Sequence, residues 1–140
     1  MDRAVSGLTI LLAILFISDP LMGNIINVPS DFLLIQEGLD FSLEGDTILV
    51  EAGTYQENLV INKNITLTSN YLFNGNINTI NETVIDGNSQ TGVLIQNTNE
   101  STKIIGFTVC NVDDGFLLHS KCQIISCIIR NCVDGIDYEK

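Results

Sequence analysis

The sequence has no tryptophan and only two prolines, and aromatic residues make up 6% of it. A core built on stacked rings is therefore excluded, and the 45% hydrophobic content must do its work with aliphatic side chains. Those are mostly Ile, Leu and Val, and β-branching favours strands because it suits a pleated surface. Basic residues are also scarce, six against 17 acids, for a net charge of −11. Phosphate binding needs a basic patch, so nucleic acid is not an expected partner. An acidic glycan would be repelled as well, unless a divalent cation bridged the two surfaces. The single histidine and the cysteine spacing do not fit a zinc centre.

One long apolar run is present, from Ala4 to Ile17, after Met1-Asp2-Arg3 and before Ser18-Asp19-Pro20. As helix it would rise about 21 Å, short of the roughly 30 Å bilayer core. A short apolar core behind a basic residue reads as a secretory signal over residues 1–23. The expected location is therefore secreted, periplasmic or cell surface, with no transmembrane segment once the signal is cleaved. The remaining residues, 24–140, make one domain.

Within that domain Val28 to Leu43 carries a helix pattern, expected over about 30–43. Ser30 or Asp31 can cap it, and Ile35, Leu39 and Leu43 form an apolar stripe. From Thr47 the period changes to two, through Thr47–Glu51, Asn58–Ile61, Ile65–Thr68, Thr83–Asp86 and Val93–Gln96. The segment Tyr71–Glu82 fits no strand and is expected to be a projecting loop.

The most informative feature is a duplication. Ile104-Ile-Gly-Phe-Thr-Val-Cys-Asn-Val-Asp-Asp-Gly115 recurs without a gap as Ile124-Ile-Ser-Cys-Ile-Ile-Arg-Asn-Cys-Val-Asp-Gly135. Such a short β-rich period with Asn, Asp and Gly at fixed places implies a solenoid of stacked coils over about 45–140, capped by the helix. Alternation across the repeat places Ile105, Phe107 and Val109 inward over Ile125, Cys127 and Ile129. It places Gly106, Thr108 and Cys110 outward over Ser126, Ile128 and Arg130. No closing element follows Tyr138-Glu139-Lys140, so the chain reads as a fragment of a longer protein.

Gly45-Asp46-Thr47-Ile48-Leu49-Val50, Gly53-Thr54-Tyr55-Gln56-Glu57-Asn58-Leu59-Val60-Ile61, Asn64-Ile65-Thr66-Leu67 and Thr83-Val84-Ile85-Asp86-Gly87 resemble the opening of pectate lyase-like and pectin methylesterase-like right-handed β-helices. Ile35-Gln36-Glu37-Gly38-Leu39 is similar to their capping helix. The resemblance implies an all-β fold, a right-handed parallel β-helix with a short N-terminal capping helix. It implies no activity by itself, since esterases, lyases and adhesins share this opening. The two Asp, the Gln and the Arg of the esterases have no match here. Asn131-Cys132-Val133-Asp134-Gly135-Ile136-Asp137 faintly resembles a catalytic segment of polygalacturonases, without the partner acids and the His motif. Some of the repeats also resemble a periplasmic helper of copper-enzyme maturation.

Four acids form the candidate site. One coil apart, Asp114 and Asp134 would lie about 4.8 Å from each other, so one titrates high, turn amides absorb the charge, or a cation sits between them. Asp113 and Asp137 add oxygens, a donor set suited to Ca²⁺. Asp before Gly is also ordinary turn chemistry. Asn111 over Asn131 would form an amide ladder. Cys122 and Cys127 would be roughly 16 Å apart on one strand, beyond the roughly 7 Å that a disulfide spans. Cys127 is expected as a small buried hydrophobe. Mostly free thiols are expected, with one Cys110–Cys132 bridge as the alternative, the nearest pair at about 8 Å. His119 is expected on the surface, and Tyr55 and Glu57 in packing and turn-fixing roles. Asn64, Asn81 and Asn99 begin glycosylation sequons.

The outward positions Thr66, Thr68, Gly106, Thr108, Ser126 and Ile128 are uncharged, so no catalytic constellation is complete. The expected function is a non-catalytic, carbohydrate-binding or adhesin-like surface protein acting on a polysaccharide or cell-surface glycan. The alternative is the N-terminal part of a polysaccharide-active enzyme, a pectin esterase, pectate lyase or polygalacturonase-like hydrolase.

Overall fold

The structure is a computed structural model that describes residues 22–139. The apolar run of the signal reading lies outside the described residues. In chain order the elements are β1 (Ile25–Val28), α1 (Ile35–Phe41), β2 (Thr47–Val50), β3 (Gly53–Tyr55), β4 (Leu59–Ile61) and β5 (Thr66–Ser69). There follow α2 (Tyr71–Asn74), α3 (Ile77–Glu82), β6 (Thr83–Asp86) and β7 (Val93–Ile95). The chain continues through β8 (Lys103–Ile105), β9 (Thr108–Leu118), β10 (Gln123–Ile125) and β11 (Ile128–Tyr138).

Two parallel sheets result. One has the order β1-β2-β5-β8-β10, the other β3-β6-β9-β7-β4, with β11 also paired to β9. Side chains of both sheets and of α1 join in a single aliphatic core, among them Ile35, Ile48, Leu67, Ile85, Ile95 and Ile104. Phe107 and Phe116 are its fully buried rings among the described residues, and Tyr55 packs against it.

The expected all-β right-handed parallel β-helix is corrected by this arrangement. Helix takes 14% and strand 45% of the described residues, which makes the chain mixed α/β with parallel strands in two sheets and no closed solenoid. The main cause is the stretch read as a loop. On leaving β5 the chain turns into α2 and α3 before it reaches β6. Asn76 caps α3 by accepting from Asn78 N at 3.0 Å, and Gly75 closes α2 with φ +60°. Neither helix would persist alone at four and six residues. Packing holds them, α2 on β5 and α3 on β6 and β9.

Strand register follows the duplication. Ile124 and Ile125 pair with Ile104 and Ile105, and Ile128 to Arg130 pair with Thr108 to Cys110. The inward assignment of Ile105 is corrected, however. Ile104 belongs to the main core cluster, whereas Ile105 is buried outside it, because the chain corners at Gly106 (φ +78°) and Ser126 (φ +51°). Alternation cannot be counted through a left-handed corner. Only glycine fits at 106, where a Cβ would come within 2.6 Å of Ser69 Oγ and 2.7 Å of Tyr71 Cβ.

Helix α1 is shorter than expected, and neither Ser30 nor Asp31 caps it. Asp31 instead accepts from Asn27 N at 2.7 Å. The free amides of Ile35 and Gln36 donate to the two carboxylate oxygens of Glu57, at 2.8 and 3.0 Å. At the other end Lys63 Nζ donates to the carbonyls of Leu39, Asp40 and Ser42 at 3.1, 2.8 and 2.7 Å. An anion at the helix start and a cation at its end match the helix dipole. Leu43 falls outside the stripe and is 69% exposed.

Candidate functional site

The four acids do not assemble as a cation site. Asp114 and Asp134 are register partners, but Asp137 pairs with Leu117. Among the described residues no group of three or more His, Cys, Asp or Glu side chains is placed to hold a metal ion. The Asp114 carboxyl is pushed above the usual carboxylate range by partial burial, then by the charges of Asp113, Asp137, Asp134 and Glu139. The cluster therefore repels itself, and it lies within two paired strands rather than in a turn. A Cβ on Gly115 would run into the carbonyl oxygen of Gly135, so the close approach of β9 and β11 requires glycine at 115. The neighbouring amides form the expected ladder and extend it. Asn131 Nδ2 donates to Asn111 Oδ1 at 3.3 Å, and Asn111 Nδ2 to Asp86 Oδ2 at 2.9 Å. Both asparagines hold positive φ, 54° and 53°.

The four cysteines are free. Cys110 is in register with Arg130 and Cys132 with Val112. Burial raises the thiols of Cys110, Cys122 and Cys127, which disfavours thiolate chemistry. His119 is exposed, and its Nε2 lies 3.3 Å from Glu139 Oε2 with no nucleophile beside it among the described residues. Tyr55 donates to the Glu51 carbonyl at 2.9 Å, and Glu57 holds α1.

The uncharged outer face expected around Thr68 and Thr108 is also corrected. Both are buried, at 0% and 1% exposure, and Thr108 Oγ1 donates to the Ile80 carbonyl of α3 at 2.8 Å. Two helices occupy what was read as an open surface. Beside β1 lies an open depression of about 790 Å³ lined by Ile25, Phe32, Phe41 and Leu43, with Asn24, Ser30, Asp31 and Asp46 at its edge. Its acids are already engaged, Asp46 accepting from Asn24 N at 2.7 Å and Leu43 N at 2.8 Å.

A different face is partly open, on the β4-β7-β9-β11 part of the second sheet, where Val60 is exposed and Leu94 and Leu117 are half-buried. Leu59, Ile61, Val93 and Ile95 point into the core, so the intervening Val60 and Leu94 point out. Register continues their row through Leu117 to Asp137. The spacing of such a row is about 4.8 Å per strand. One rung further on, the amides of Gln96, His119 and Glu139 donate to the carbonyls of Ile61, Ile95 and Leu118. This sets a polar row beside the apolar one. Gln36 closes the upper edge, its Oε1 accepting from Val60 N at 2.8 Å and its Nε2 donating to Val60 O at 3.2 Å. Sequence reasoning missed this face, although the alternation of Leu59-Val60-Ile61 and Val93-Leu94-Ile95 carried its signal.

Comparison with protein-family models, with curated proteins and with solved structures gives no match to this chain.

Proposed function

We propose that this chain is a non-catalytic binding module of a secreted or cell-surface protein, with an extended polysaccharide or cell-surface glycan as its ligand. The observation that carries the reading is the partly open face, where Val60, Leu94 and Leu117 form an apolar row beside Gln96, His119 and Glu139. Apolar side chains in a line accept the C–H faces of sugar rings, while amide, imidazole and carboxylate groups beside them serve the hydroxyls. The parallel strands repeat this pairing at fixed intervals, as a polymer of repeating units requires. Asp137 and Glu139 on the same face disfavour uronic-acid polymers, so neutral chains are the expected class. Export rests on the N-terminal pattern of residues 1–23.

The test is binding of the full chain to a panel of neutral and acidic polysaccharides, read by affinity electrophoresis and calorimetry. Retardation by at least one neutral polymer is expected, with loss of retardation in Leu117→Asp and Gln96→Ala and none in Ile125→Ser. Equal binding by Leu117→Asp would remove this face from the account.

A further inference from the structure

We propose that Asn99 is the site at which the folded chain accepts an N-linked glycan, and that the other two sequons, at Asn64 and Asn81, are closed to it. In the transfer reaction the Asn amide nitrogen bonds to the anomeric carbon of a sugar carried on a lipid diphosphate. The carbon–oxygen bond to the diphosphate breaks, the lipid diphosphate leaves, and the amide proton passes to a base of the transferase. The acceptor must therefore present a free Nδ2 and the hydroxyl two residues on, both reachable from solvent.

The three sequons differ in these respects. Asn99 is exposed, and Ser101 donates to its Oδ1 through both N (2.8 Å) and Oγ (2.6 Å). Carbonyl oxygen and hydroxyl are thus held together, while Nδ2 makes no hydrogen bond among the described residues. Asn64 is half-buried, and its Oδ1 accepts from Asn99 N at 2.8 Å and Thr102 Oγ1 at 3.1 Å. Its side chain holds the turn on which Asn99 stands, and its own sequon hydroxyl, on Thr66, lies in β5. Asn81 sits in α3 with its Nδ2 directed at the Ile77 carbonyl. Its sequon hydroxyl, on Thr83, is fully buried and donates to the Thr79 carbonyl at 2.8 Å. Of the three, Asn99 alone has both its own side chain and its sequon hydroxyl exposed: Asn64 and Thr66 are half-buried, and Thr83 is buried.

The experiment incubates the folded full chain with a purified single-subunit oligosaccharyltransferase and a lipid-diphosphate-linked oligosaccharide. Intact mass and peptide mapping follow. One glycan on Asn99 is expected, absent in Asn99→Gln and in Ser101→Ala. Ser101→Thr, which keeps the hydroxyl, restores it, and Asn81→Gln leaves it in place. Circular dichroism before the reaction verifies that each variant is folded. An unmodified Asn99, or a glycan on Asn64 or Asn81 of the folded chain, overturns the assignment. Neither outcome bears on polysaccharide binding at the Leu117 face, which is read separately.

Discussion

The two ends of the molecule hold similar side chains in the same register and bury them very differently. At the α1 end the helix lies over β1, β2 and β4, and charged side chains from the connections flanking β4 fasten it: Glu57 at its start, Lys63 at its finish. At the β10–β11 end pairing alone orders the chain. Phe107 and Phe116 are fully buried, but their partners one strand on are not: Cys127 is half-buried and Ile136 is 53% exposed. A side chain facing the right way is half of a core position. The other half is a neighbour on its far side, and most of the apolar free energy arrives with that neighbour.

The contrast can be broken most directly with Phe107→Ala and Ile136→Ala. The first leaves a cavity and is expected to cost about 3–5 kcal/mol in urea unfolding, the second about 0.5 kcal/mol or less. Equal losses would mean that both ends contribute alike. Next in size is Lys63→Met, which leaves three carbonyls at the end of α1 without a donor. A loss of about 1–2 kcal/mol is expected, the lower part of the range for charged hydrogen bonds because the site is partly exposed. Glu57→Ala strips the start of the same helix and should cost about 1 kcal/mol. Faster hydrogen exchange at the Ile35 and Gln36 amides would confirm that α1 is what frays. The smallest effect belongs to Asp114. Its carboxyl titrates higher in the fold than in the unfolded chain, so the folded state holds the proton more readily. Its contribution to stability is complete below the unfolded pKa and is lost as pH rises through the raised value. Asp114→Asn should therefore melt slightly higher than the parent chain at neutral pH, with the difference vanishing in acid and shrinking in salt.

Strand positions were largely legible in the sequence, because parallel pairing at a fixed offset leaves a trace in residues such as Asn111 and Asn131. The helices were not. Tyr71–Glu82 is broken at Gly75 into pieces too short for a helical stripe, and its two helices exist because β5, β6 and β9 offer a surface to pack on. The corner at Gly106 inverted one inward assignment for a local reason, a positive φ that alternation does not register. The supports of α1 were invisible for a different reason. Glu57 and Lys63 lie more than twenty positions from the backbone groups they bind, and nothing in a window around the helix points to them. The same distance effect hid the Leu117 face, which exists only once β4, β7, β9 and β11 lie side by side. Asp114 over Asp134 was legible as a stack, but the geometry makes it a rung between β9 and β11 beside a sterically required Gly115.

Thr66 meets Lys103 in the sheet, 37 positions later, whereas Lys103 meets Gln123 after 20. Rungs on either side of α2 and α3 align as though the detour were not there. A chain that keeps its ladder while swallowing an extra loop's worth of sequence has a tolerant seam at Asn70 and Glu82. Novel surface could be spliced in at that seam, by evolution or by a protein engineer, with the bill limited to closing a longer excursion.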